Sequence, residues 1–162
     1  MSDTTGSTGD AVGFTDDEID TAAPTRAARL KWVVVVNAAV EGGRAVNAAI
    51  CVAAATAVRV PGLLGPDATD AGGATHPGLP WAGCSVLVAD AATLRTIRAK
   101  AGAHEGTFVA DMPAAAQSTR VYDEYVDAMA AADPDDVEYL AVGLVGPRNR
   151  VDKIVGRLPL MA

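Results

Sequence analysis

The stretch LKWVVVV, Leu30 to Val36, is a run of consecutive β-branched and apolar residues with no polar alternation after Lys31. A strand solvated on one face alternates, whereas a strand buried on both faces reads as a continuous apolar run. The run therefore predicts a central strand with helices on both sides of its sheet. Downstream, Asn37 to Gly43 reads as the loop leaving the strand, and Arg44 to Ala57 as a helix whose many alanines permit close approach to its neighbours. Val60 to Trp81, rich in Pro and Gly around Asp70-Ala71-Gly72-Gly73, predicts a hairpin or excursion. Further strands are expected at Cys84 to Val88, Thr107 to Ala110 and Val137 to Val145. Helices are expected at Ala91 to Ala101, capped by Asp90, at Gln117 to Ala131, with Val121, Tyr125, Ala128 and Met129 inward, and at Arg148 to Val155. Strands alternating with helices predict one α/β domain, a three-layer α/β/α sandwich around a small mixed, mostly parallel sheet.

The chain has 162 residues, half of them hydrophobic but only 4 % aromatic, so the core is expected to be built from Ala, Val, Leu and Ile. Residues 1–13 are expected to be a disordered acidic tail and residues 14–162 the domain. Phe14 to Ala22 predicts a short turn capped by Thr15. Asp3, Asp10, Asp16, Asp17, Glu18 and Asp20 precede the first Lys or Arg, and setting those six aside leaves the rest of the chain at −1 of the total −7. A nearly neutral domain lacks the basic balance of a dedicated nucleic-acid binder, so nucleic acid is not the expected partner. The N-terminus lacks the basic and apolar regions of a signal peptide, and no apolar run is long enough to span a bilayer. A cytoplasmic location without membrane association is expected. Cys51 and Cys84 form no C-x-x-C pair and have no His at zinc-ligand spacing, so two buried free thiols are expected. Asp67, Asp70 and His76 lie in a turn-rich segment where Asp serves backbone hydrogen bonding, and no metal or cofactor is expected.

LKWVVVVN followed by EGGRAVNAA resembles the first strand, loop and helix of the type-II peptidyl-tRNA hydrolases, and the closing GPRNRVDKIVGRLPLM (Gly146 to Met161) is similar to theirs. The opening at Thr25 to Val33, the PGLLGPD and HPG motifs within Pro61 to Gly78, and AQSTRVYDEY at Ala116 to Tyr125 resemble the domain of unknown function 2000 family more closely. The resemblance spans about Phe14 to Met161 and implies a type-II peptidyl-tRNA-hydrolase-like fold. It does not imply that activity. Arg44 stands where those hydrolases carry a lysine, and Asp111 follows a strand as their aspartate does but precedes Met112-Pro113 rather than Ala-Gly. Arginine stays charged at working pH, so it clamps anions but does not exchange protons.

The expected site is the crevice at the carboxyl end of the first strand, where open α/β sheets bind ligands. Gly42 and Gly43 would let the backbone approach a ligand, and the helix N-terminus together with Arg44 would favour a small anion. Asn47 shares the helical face of Arg44, and Asp111 is expected either in the site or as an ion-pair partner of Arg44. Arg148, Arg150, Lys153 and Arg157 give the closing helix a basic face, expected to be solvated. The sequence thus predicts a small-molecule or partner-binding domain. The alternatives are a hydrolase of peptidyl-tRNA-like esters, with Asp111 orienting water, and a homo-oligomer associating through the Ala-rich helix or the last strand.

Overall fold

The computed structural model describes residues 11–162. Of the expected tail, residues 1–10 lie outside the described residues, whereas Val12 packs partly buried against the core. Among the described residues six strands and five α-helices follow in the order β1 (Leu30–Asn37), α1 (Gly42–Arg59), β2 (Ala68–Thr69), β3 (Thr75–His76), β4 (Ser85–Ala89), α2 (Ala91–Gly102), β5 (Phe108–Pro113), α3 (Ala115–Ser118), α4 (Tyr122–Ala131), β6 (Tyr139–Pro147) and α5 (Arg148–Val155).

The main sheet has the order β4-β1-β6-β5. The apolar run of β1 occupies a central position, as its two-faced burial requires. Trp32, Val34 and Val36 meet α1 on one face, with Ala45, Ala48 and Val52 opposite them. Val33 and Val35 meet α2 and α5 on the other, with Leu94, Ile97, Val151 and Val155. Helices on both faces make three layers, and each fully buried valine contributes about 1.5–3 kcal/mol relative to exposure. The sheet is mixed, but the expected majority of parallel pairs needs correction. Only β1 and β4 run parallel; β6 is antiparallel to both β1 and β5. A continuous apolar run reports that helices cover both faces, and an antiparallel pair in the middle of such a sheet meets that condition equally well.

Two features set how closely α1 sits. Gly143 on β6 faces α1, and a Cβ there would lie 2.4 Å from Val52 Cγ1. Thr56, fully buried, satisfies its hydroxyl by donating to Val52 O at 2.8 Å. The β4 edge of the sheet is not left bare: Val88 N donates to Pro159 O at 3.1 Å and Met161 N to Val86 O at 2.9 Å. The excursion folds as the β2–β3 hairpin, where Asp67 Oδ1 accepts from Gly78 N and Asp70 Oδ1 accepts from Gly72 N and Ala74 N. Those aspartates hold turns, as their residue type predicts.

The helix expected at 117–131 is two pieces, α3 and α4, and α4 buries no residue. Val121 is 53 % exposed, while Tyr125 and Met129 are half-buried. Both cysteines are exposed rather than buried, although packing around the Cys84 sulfur pushes its thiol up to about 11.

The segment before β1 is clamped to the domain by charge. Arg29 Nε and Nη2 donate to the two carboxylate oxygens of Glu18, and Nη2 also donates to Gly13 O at 2.9 Å. The Arg29 guanidinium, followed by the Thr15 N–H, holds the Glu18 carboxyl down at about 2. A depressed carboxylate adds stability that is complete above its unfolded value near 4.5 and is lost as pH falls through about 2. Acid titration over that window is expected to loosen this segment. Phe14 packs on Trp81 at 4.9 Å between ring centroids, so Trp81 emission in a Trp32→Phe background should follow the change. Glu18→Gln should flatten that response; an unchanged titration would show that Glu18 does not control it.

Candidate functional site

The loop from β1 to α1 is fixed from beneath by Asn37, which is 1 % exposed. Its Nδ2 donates to Tyr139 O at 3.3 Å and its Oδ1 accepts from Ala39 N at 2.9 Å. The chain then enters α1 through Gly42 at φ +56°, a left-handed conformation that side chains disfavour. A Cβ at Gly42 or Gly43 would meet nothing within 4 Å, so the space beside this turn is open. Glu41 precedes the helix without a side-chain cap, leaving the first N–H groups of an 18-residue helix available at its electropositive end.

Arg44 and Asn47 do share a face, and Gln117 of α3 joins them. Arg44 Nε donates to Gln117 Oε1 at 3.0 Å, while Gln117 Nε2 donates to Arg44 O at 2.9 Å and to Asn47 Oδ1 at 3.0 Å. One amide thereby orients the arginine, and among the described residues neither terminal nitrogen of the guanidinium has a partner. Asp111 makes no hydrogen bond to this cluster, although it lines the cleft beside it. It alternates along β5 with Ala110 and Met112, which pack on the α1 side. Its Oδ2 accepts from Arg98 Nε of α2 at 3.1 Å. The expected ion pair with Arg44 is therefore replaced by one with Arg98.

Asn47 continues along α1 into Cys51, Ala54 and Ala55, and these three line a cleft of about 510 Å³ against β5, α3 and α4. Its other walls include Asp111, Met112, Arg120, Tyr122 and Tyr125. The two tyrosines meet edge to face at 5.5 Å. Burial, followed by the charge of Asp111, raises the Tyr125 hydroxyl above its ordinary value. Arg120 has no carboxylate partner among the described residues. This arrangement can hold an anionic group at its upper end, and an apolar or aromatic body along the stripe below.

The residues missed by sequence reasoning are Gln117, Asn37 and Arg98. Gln117 stands inside the AQSTR motif, and an Asn closing an otherwise apolar strand is itself a signal of loop fixation. Nothing local marked Arg98. Among the described residues no group of three or more His, Cys, Asp or Glu is placed to hold a metal ion, and no helix is long and apolar enough to cross a membrane.

The model of the family described as "Protein of unknown function (DUF2000)" matches residues 30–162. A solved structure of a protein of unknown function from Agrobacterium tumefaciens superposes with a TM-score of 0.76 at 17 % identity. It covers 83 % of this chain and 98 % of that one, a likeness of fold alone. No curated protein matches the chain.

Proposed function

The chain belongs to the DUF2000 family, and from its own geometry we propose that it is a small-molecule-binding domain that seats an anionic group at the N-terminal end of α1. The observation that carries this reading is the Gln117 bridge, which fixes Arg44 through Nε and leaves the far side of its guanidinium for a ligand. The uncapped helix end and the open space beside Gly42 and Gly43 add donors and access. The neighbouring cleft suits an apolar or aromatic body, and its size falls within the roughly 300–1,000 Å³ of ordinary ligand pockets.

The hydrolytic alternative needs a group that exchanges protons at this end of the sheet. Arg44 remains charged, and the Asp111 carboxylate is engaged by Arg98. Binding is the reading these contacts favour.

Benzoate, an anion on an aromatic ring, is a suitable probe. It is expected to raise the melting temperature of the wild type by about 2–4 °C for each kcal/mol of stabilisation that bound probe adds at the concentration used. Arg44→Ala should melt within about 1 °C of the wild type without probe, as exposed substitutions usually do, and should no longer respond to benzoate. A variant that melts several degrees lower with or without probe would identify Arg44 as a structural staple instead.

A further inference from the structure

The opposite face of the sandwich carries a second concave site. Lys100 and His104 at the end of α2, with Asn149, Arg150, Lys153 and Ile154 of α5, line a cleft of about 530 Å³. We propose that this cleft binds a compact oligophosphate, such as the phosphate chain of a small metabolite.

Three observations carry the proposal. First, the lining contains three basic side chains, a histidine and an amide, and no carboxylate. The acidic neighbour Asp152 is turned to Lys31 instead, and neither lysine of the cleft has an ion-pair partner among the described residues. Unopposed cations converging on a concavity concentrate the local field and favour a multiply charged anion.

Second, helix stabilisation accounts for only part of the cluster. Lys100 and Lys153 lie in the last turns of their helices, where a cation offsets the helix dipole. Arg150 lies in the first turn of α5, where that dipole disfavours a cation. It is held there by its Nη1, which donates to Glu105 O at 2.7 Å. The basic face read from the sequence is thus divided. Arg148 turns away to the carbonyls of Thr25 and Ala28, and Arg150 and Lys153 remain at the cleft.

Third, the lining has no Phe, Tyr or Trp. Single-stranded nucleic acids are held by base stacking on aromatics as well as by charge, and a domain near neutrality lacks the basic balance that an extended polyanion needs. The cleft is therefore fitted to phosphate groups rather than to a base or a polymer.

Isothermal titration of the full chain with inorganic tripolyphosphate, at about 50 mM salt to limit screening, tests the proposal. Wild type should bind, and ATP should bind no more than about threefold more tightly, because the cleft has no Phe, Tyr or Trp on which a base would stack. Lys100→Gln/Lys153→Gln should weaken binding by about tenfold or more, with a melting temperature lowered by only a few degrees through the two lost helix-dipole contacts. Lys153→Arg should retain binding, and Arg44→Ala, which removes only the anion seat on the other face, should leave the lysine-dependent binding in place. The proposal is overturned if wild type does not bind tripolyphosphate. It is equally overturned if Arg44→Ala abolishes binding while the lysine variant does not, or if a ten-nucleotide oligouridine binds more tightly than tripolyphosphate.

Discussion

Replacing Leu144 by alanine is expected to cost about 2–5 kcal/mol of stability, the range for deleting a buried aliphatic side chain and leaving its cavity. Leu144 is fully buried on β6, in the middle of the sheet, and points toward α2 and α5. Its neighbours Val33, Val151 and Ile97 belong to three different elements, so collapse into the vacated space would have to move several elements at once. For a domain of this length the loss corresponds to a fall in melting temperature on the order of 10 °C. A urea titration reads it directly, as a lower midpoint with an unchanged slope. A change below about 1 kcal/mol would mean that this face is loosely packed.

The adjacent residue probes the other face in the opposite sense. Gly143→Val is expected to cost about 1–3 kcal/mol by overpacking, because even a single Cβ would lie 2.4 Å from Val52 Cγ1. Val52 is 1 % exposed and has little room to withdraw. The double variant Gly143→Val/Val52→Ala should recover part of the loss, since it deletes the atom in the way. In a double-mutant cycle the two changes should therefore couple favourably. Strictly additive losses would show that β6 and α1 do not meet through this pair. The consequence reaches the candidate site, since α1 carries Arg44 and Asn47: displacing the helix from β6 should also weaken the benzoate response.

What the residues disclosed, and what they hid, follows from the range of each signal. Leu30 to Val36 announced a two-faced central strand because burial on both sides leaves no polar position, and that constraint is written locally. Strand direction is not written there, since helices can cover parallel and antiparallel neighbours alike. The break between α3 and α4 also escaped notice, having neither Gly nor Pro to mark it. It is made by short hydroxyls: Ser118 Oγ and Thr119 Oγ1 both donate to Ala115 O at 3.0 Å. Such side-chain bonds offer the backbone an alternative to continuing the helix.

In the site, Arg44 and Asn47 were legible as a pair because helical spacing alone brings them together. Their bridge, Gln117, lies 73 residues from Arg44 and is supplied by the tertiary fold. Asp111 was visible as a polar residue after an apolar strand, but the partner it meets depends on which way its side chain leaves β5. Sequence alternation establishes that such faces exist without saying which helix lies above each.

Strand β6 is the last to be made and sits between β1 and β5, both finished long before it. During synthesis the first hundred or so residues can form helices and the parallel β1–β4 pair, yet the seam that unites the two halves is absent until residues 139–147 leave the ribosome. A nascent chain therefore carries the inner edge of β1 unpaired from the completion of that strand until β6 arrives, and that of β5 over a shorter interval. Assembly is governed by a late, long-range closure, of the sort that slows folding and gives holding chaperones time to engage.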